Sequence, residues 1–312
     1  MNSLAKAVEK PFAVGADEIA AWLDCTDEEE GQLFEAARQV KAKCGKDAVL
    51  RRALIETGNV CERNCLYCGI RAGNVSVSRY RMTESEVGDC ISAAVEQGYS
   101  AVAFQSGEIQ SEENTSFYER VLRALPPGLE VTLSLGEQSE ETYRRWKNAA
   151  GERVLRYLIR IESSDRRLFA AIHPANVSYD HRLECIRTLK RLGYVTGSGV
   201  MIGLPGQTTR QLAEDVVFFG REKLDMVGMG PFIAHPATPL GKESSGTLAF
   251  ALRMIAATRL YLHEVNIVAA TALRVLKPDG IERGLAAGAN VMMPERTPEK
   301  FRTFYDLYPG KV

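Results

Sequence analysis

The 312-residue chain predicts an α/β fold, a (β/α)8 TIM barrel preceded by a helical extension. Short β-rich runs alternate with longer amphipathic stretches, the pattern of βα units feeding a parallel sheet. Eight such runs can be drawn, the number that closes into a barrel. Polar residues and glycines collect after several different runs, and no GxGxxG follows the first, which disfavours an open doubly wound sheet.

Residues 16–45 carry helix signals, with Asp24, Cys25 and Thr26 ahead of the acidic run Asp27–Glu30 that suits a helix N-terminus. The extension is therefore placed at 1–48 and the barrel at 49–312. The predicted strands are Ala53–Glu56, Ala101–Gln105, Glu130–Leu135, Leu155–Ile161, Gly197–Ile202, Met226–Met229, Asn266–Ala270 and Asn290–Met293. Between them run helical segments such as Glu84–Gln97, Glu140–Ala150, Tyr179–Leu192, Thr209–Glu222 and Thr247–Glu264. No internal repeat, low-complexity segment or Pro/Gly-rich linker argues for a further domain.

With 45% hydrophobic and 25% charged residues, the chain can bury a substantial core. A net charge of −1 gives no general bias toward nucleic acid or anionic membranes, so a small molecule or a protein is the expected partner. No long apolar run and no signal-peptide plan appear, and a cytoplasmic, reducing location is expected.

In such a barrel, catalytic groups sit at the C-terminal strand ends. The first strand delivers Cys61-Glu-Arg-Asn-Cys65-Leu-Tyr-Cys68, followed by Gly69. The spacing CxxxCxxC lets one short loop offer three thiolates to three irons of a cubane cluster, leaving the fourth iron without a protein ligand. A structural zinc site normally takes four ligands, and no second CxxC or histidine pair lies near, the next histidine being His173. A disulfide framework also fits poorly, because seven cysteines is an odd count in a long chain. Cys25, Cys44, Cys90 and Cys185 lie singly in helical segments and read as buried small hydrophobes.

The second strand ends in Gln105-Ser106-Gly107-Glu108, and the third carries Thr132, Ser134 and Glu137. Glycine there permits close backbone approach to a ligand, and a carboxylate can accept from an ammonium group. Period-2 spacing in the fourth strand sets Arg156, Arg160 and Glu162 on one face and Tyr157, Ile159 and Ile161 on the other. Charges inside a barrel imply mutual pairing or a charged ligand; the alternative is a salt-bridge ladder on a solvated face. Arg182 opens the following helix and can add a second cation. Gly199 through Thr208 can form an apolar shelf and backbone edge, with Thr208 capping the next helix, while Met226 reads first as core filler. GxxxxGK[ST] is absent, so nucleoside triphosphate chemistry has no support.

The ordered set Gly58-Asn-Val-Cys61 to Cys68-Gly69, Gln105-Ser-Gly-Glu108, Ser134-Leu-Gly-Glu137, Arg156…Arg160-Ile-Glu162, Met201-Ile-Gly-Leu-Pro-Gly-Gln-Thr208, Asp225-Met-Val-Gly228, Gly230-Pro-Phe-Ile233…His235-Pro236, and Gly288-Ala-Asn-Val…Met293-Pro294…Tyr305…Leu307-Tyr-Pro-Gly-Lys311 resembles a known family. It is similar to the FeFe-hydrogenase maturases of the HydE type, in the radical S-adenosylmethionine (radical SAM) branch shared with biotin synthase and methylornithine synthase. The resemblance spans roughly residues 50–311 and implies a TIM barrel of the radical SAM type. It also implies a [4Fe-4S] cluster held by Cys61, Cys65 and Cys68, with SAM chelating the fourth iron and yielding a 5′-deoxyadenosyl radical on reduction. Ser106-Gly107-Glu108 resembles the superfamily's Gly-Gly-Glu, which contacts the SAM amino group.

By the same resemblance, SAM is held by Tyr67, Gly107, Glu108, Ser134, Glu137, Arg160, Glu162, Arg182, Met201 and Leu204. Gln105, Thr132, Arg156, Met226, Thr271, Tyr305 and Tyr308 line the substrate end, and Arg156, Met226 and Tyr305 join the cysteines as the catalytic set. The implied substrate is an organometallic iron–cysteine complex bearing carbonyl and cyanide, supplied by a HydG-type maturase, with the radical reacting at the cysteine sulfur. HydG- and HydF-type maturases are implied as transient partners, and a flavodoxin or ferredoxin as electron donor.

Two departures stand near the substrate end: the family's Thr-Thr-Ala-Met is Ala270-Thr271-Ala272-Leu273, and its Pro-Asp-Thr-Pro is Pro236-Ala237-Thr238-Pro239. The chain is expected to lack the C-terminal segment that carries a second cluster in some relatives. The competing readings are a radical mutase or amino-acid-modifying enzyme like methylornithine synthase, and a non-enzymatic carrier of an iron complex.

Overall fold

The computed structural model describes residues 3–311, so Met1, Asn2 and Val312, the outer ends of the two expected units, lie outside the described residues. Three helices come first: α1 (Ser3–Glu9), α2 (Ala16–Leu23) and α3 (Asp27–Lys43). The acidic run does open α3. Thr26 caps it by accepting from Glu29 N–H, and the Glu29 carboxylate accepts in return from Thr26 N–H at 2.9 Å.

The barrel then alternates β1 (Leu50–Arg51), β2 (Ala53–Gly58), α4 (Glu84–Glu96), β3 (Ala101–Ser106), α5 (Glu112–Ala124), β4 (Glu130–Ser134), α6 (Glu140–Ala150) and β5 (Leu155–Leu158). It continues with α7 (Arg166–Ile172), α8 (Tyr179–Arg191), β6 (Val195–Ser198), β7 (Met201–Ile202), α9 (Thr209–Arg221), β8 (Met226–Pro231) and α10 (Leu248–Leu262). The last elements are β9 (Asn266–Ala269), α11 (Ala272–Leu276), α12 (Gly280–Ala286), β10 (Val291–Met292) and α13 (Glu299–Arg302).

Every strand pair is parallel, in the order β1-β10-β9-β8-β6-β5-β4-β3-β2, with β7 on β8. β1 and β2 are one strand interrupted at Arg52. The first part pairs Leu50 with Val291 and the second pairs Ile55 with Phe104, so this segment joins both ends of the row and closes the ring. β6 and β7 also share one position, broken at Gly199, where an added Cβ would lie 1.7 Å from Gly228 O. The ring therefore has the eight strand positions read from the sequence.

Outward residues such as Ile55, Phe104, Leu133, Tyr157, Val227 and Ile267 pack against the helix shell in one buried cluster. Ile19, Trp22, Leu23, Leu33 and Val40 of the first helices belong to the same cluster. Polar ties reinforce that contact: Arg253 of α10 pairs with Glu30 at 2.8 Å, and His263 Nε2 donates to Ala7 O at 2.7 Å. Cys90 and Cys185 are buried as expected, whereas Cys25 and Cys44 are only half-buried at the edge of the cluster.

The predicted strand Leu155–Ile161 ends early, at Leu158. Beyond it the chain stays pinned to its neighbour, with Glu162 N donating to Gly199 O at 3.0 Å and Glu162 O accepting from Met201 N at 3.0 Å. Glu162 itself has φ +65°, a left-handed conformation that is uncommon for a residue with a Cβ and tends to concentrate at functional sites.

Candidate active site

At the C-terminal strand ends lies a cavity of about 250 Å³. Cys61, Cys65 and Cys68 line it together with Ser134, Arg160, Glu162, Arg182, Met201, Phe232, Tyr305 and Tyr308. The cysteine loop is tied down backbone to backbone. Glu62 N donates to Glu108 O at 2.8 Å, Leu66 N to Ile172 O at 2.9 Å, and Gly69 N to Leu307 O at 2.9 Å. Arg71 Nε adds a bond to Cys65 O at 3.1 Å.

Two glycines are required by close approach. A Cβ on Gly107 would lie 2.1 Å from Val60 O, and one on Gly69 would lie 2.0 Å from Asp306 O. Gly69→Ala is accordingly expected to displace the loop, destabilising the protein by roughly 1–3 kcal/mol. Iron content after oxygen-free reconstitution should fall with it; unchanged iron and unchanged thermal unfolding would contradict the packing argument.

Burial pushes all three thiols above their ordinary range, Cys65 to about 12, and the neighbouring sulfurs add to the effect for Cys65 and Cys68. Three such thiols become thiolates together only beside strong positive charge, which iron supplies. Cys61 Sγ already accepts two backbone N–H groups, from Arg63 and Glu108, each at 3.4 Å. Among the described residues no three His, Cys, Asp or Glu side chains converge on a single ion, and a cubane asks each thiolate for a different iron.

Beside the thiols runs a chain of buried and half-buried charges. Glu137 pairs with Arg182 Nε and lies 3.4 Å from Arg63 NH2; Arg63 Nε in turn pairs with Glu108. Arg182 NH1 donates to Arg160 O at 2.7 Å, and the Arg160 guanidinium stands 2.8 Å from the Glu162 carboxylate. Burial and the nearby Glu137 raise Glu108, against the pull of Arg63. Among the described residues Arg160 Nε makes no hydrogen bond and Glu162 Oε2 meets only the Arg160 guanidinium, in the ion pair, so one donor at the cavity wall remains to be satisfied by a ligand. The thiols together with this free donor and the Glu162 carboxylate beside it fit an iron–sulfur cluster beside an amino-acid-like ligand.

Tyr67 OH lies 3.3 Å from both Glu162 Oε1 and His173 Nε2. His173 Nδ1 donates to Phe169 O at 2.8 Å, which fixes Nε2 as the acceptor. Burial, helped by Arg182, pushes His173 down to about 3 and keeps it neutral. The expected apolar shelf is present. Met201, Leu204, Phe232, Leu168 and Ile172 form a separate cluster with Tyr67 against it. Its loop is shaped by Gln207, whose Oε1 accepts from Gly203 N at 2.7 Å and Leu204 N at 3.1 Å.

The other expected substrate residues divide. Gln105, Tyr305 and Tyr308 line the cavity; Thr132, Arg156, Met226 and Thr271 do not. Arg156 lies one inward layer below Leu158, which is part of the lining, and its guanidinium stands 2.7 Å from Glu130. Arg52 shares that lower layer, donating to Thr132 Oγ1 and Met226 Sδ at 3.5 Å each. Ala270 and Ala272 reach the lining, while Thr271 between them is the residue just before α11.

The profile of the radical SAM superfamily matches residues 55–219. The FeFe-hydrogenase maturase subunit HydE of Thermotoga maritima is 44% identical over 280 residues, 90% of this chain and 79% of the relative. The chain belongs to the HydE family. This HydE-family chain shares its fold with the crystal structure of methylornithine synthase (PylB), with TM-score 0.83 and 22% identity over 93% of this chain and 85% of that one. It is likewise similar to a crystal structure of the FeFe-hydrogenase maturase HydG, with TM-score 0.80 and 19% identity over 93% of this chain and 66% of that one.

Sequence reasoning passed over Arg63, His173, Arg52 and Glu56. Arg63 lies inside the cysteine motif and could have been noted for its charge. The others carry no local signal, because the side chains they pair with come from distant parts of the chain.

Proposed function

We propose that this chain is a radical SAM maturase of the HydE type, acting on an organometallic iron–cysteine precursor during assembly of the FeFe-hydrogenase di-iron subcluster. One observation supports the SAM chemistry above all. Three thiols on one short loop share a single cavity with the Arg160–Glu162 ion pair, in which Arg160 Nε has no hydrogen-bond partner among the described residues. Cys61, Cys65 and Cys68 would hold a [4Fe-4S] cluster, which when bound supplies the electron that splits the SAM sulfonium into methionine and a 5′-deoxyadenosyl radical.

The protein's own part is binding, orientation and exclusion of water. Arg160 offers a donor to the methionyl carboxylate, with Arg182 behind it held by Glu137. Glu108, Glu162 and Ser134 offer acceptors to the amino group, Gly107 allows backbone approach, and Tyr67 and Met201 supply an apolar surface for the adenine, with Leu204 packed behind them and off the cavity lining. Leu158, Phe232, Ile233 and Tyr305 shield the space where a primary radical must meet its target before solvent does.

The HydE relative at 44% identity supports hydrogenase maturation over a methylornithine-type reaction, for which the 3-methylornithine synthase of Methanosarcina acetivorans is 24% identical. HydG- and HydF-type maturases and a flavodoxin or ferredoxin are the expected partners. No helix among the described residues is long and apolar enough to cross a membrane.

The test is oxygen-free reconstitution with iron and sulfide, followed by reductant, SAM and the iron–cysteine complex. Formation of 5′-deoxyadenosine or an adenosylated product is expected, stimulated by the complex; an intact cluster with no SAM turnover would overturn the reading. Arg156 lies below the lining and pairs with Glu130, so Arg156→Ala is expected to leave SAM affinity within about twofold and to lower use of the anionic complex about fivefold, as loss of a longer-range charge attraction of about 1 kcal/mol implies. Equal loss of both would place Arg156 in the SAM site.

A further inference from the structure

Glu56 is fully buried inside the barrel, in register with Gln105 and through it with Ser134, two residues that line the cavity. Its partner is Lys311, whose ammonium pairs with Glu56, lies 3.8 Å from Glu295 and stands 4.6 Å from the ring centre of Tyr305. The segment leading to Lys311 is a strap across the mouth. Phe304 O accepts from Asn59 Nδ2 at 2.6 Å, the Asp306 carboxylate from His235 Nε2 at 2.9 Å, and Leu307 O from Gly69 N at 2.9 Å. Gly310, at φ +73°, turns the chain so that Lys311 enters the barrel.

A buried ion pair of this kind is a weak source of stability, since apolar residues of similar size often serve as well. Its position suggests another role. We propose that Glu56 and Lys311 are positioning residues that latch the strap 303–311 and hold Tyr305 against the substrate end of the cavity. What the cavity receives rests on the function proposed above; the latch itself does not. Neither residue lines the cavity, so any effect on substrate passes through Tyr305 and its neighbours Leu307 and Tyr308. Burial alone pushes Lys311 down to about 7, and the Glu56 carboxylate favours its charged form.

Hydrogen exchange measured by mass spectrometry on the reconstituted holoenzyme tests the latch without any substrate. Lys311→Met is expected to raise exchange at least tenfold in the strap and at the Gly69 amide, leaving the β4 and β5 amides unchanged, and Lys311→Arg is expected to restore protection. In turnover with the iron–cysteine complex, Lys311→Met should raise KM at least tenfold with a smaller change in kcat. Wild-type exchange in the strap, or an equal rise in β4 and β5, would overturn the latch; an opened strap with unchanged KM would overturn the positioning of Tyr305. Should the wild-type protein not turn over the complex, the functional reading fails, while the exchange result still decides the latch. Glu56→Gln provides a second variant, with the same exchange pattern expected should Lys311→Met not fold.

Discussion

Replacing Cys65 by alanine is expected to abolish cluster assembly and to reduce 5′-deoxyadenosine formation to background, with little change in the stability of the apoprotein. The loop holds its shape through backbone bonds at Glu62, Leu66 and Gly69 and through Arg71, none of which uses a cysteine side chain. What Cys65→Ala removes is one of three iron ligands, and two thiolates hold a cubane poorly. Iron and sulfide content, the visible absorption of the reconstituted protein and its SAM turnover should fall together. A surviving cluster with full turnover would show that the third ligand comes from elsewhere.

The second large effect is expected at Glu137. Its carboxylate is almost inaccessible, with 2% of the side chain exposed, and it serves Arg182 and Arg63 together. Glu137→Gln leaves Arg182, itself 7% exposed, with Arg160 O as its remaining strong acceptor. Breaking one side of a buried pair costs about 3–5 kcal/mol, because the stranded charge stays out of water. Tm should drop by several degrees, and SAM affinity should fall with it, since Arg182 buttresses Arg160. Glu140→Gln is the control: that carboxylate is 50% exposed and pairs on the surface with Arg144, a pairing worth at most about 1 kcal/mol. Similar losses for the two variants would mean that the charge network at the mouth is no more than surface decoration.

The contrast between these residues shows what a sequence can carry. The cysteine loop, the strand-end glycines and the alternation of Arg156, Arg160 and Glu162 are local patterns, and each was legible because spacing alone fixes which groups share a loop or a face. The eight strand positions were legible for the same reason, and most boundaries moved by a residue or two. The early end of β5 was not, since it depends on how Glu162 is pinned to Gly199 and Met201 across the ring. Glu56 and Lys311 were invisible as a pair because 255 residues separate them. The layer that holds Arg156 below Leu158 also follows from depth in the barrel, which a residue pattern along one strand does not set.

Electron–nuclear double resonance on the reduced, reconstituted protein, with SAM labelled at the methionyl nitrogen and carboxylate, tests the central assignment most directly. Three cysteine ligands and one open iron predict hyperfine coupling from both labels to a [4Fe-4S] signal, and a change in that signal when SAM is added. A cluster whose spectrum ignores SAM and shows coupling from a fourth protein side chain would contradict it.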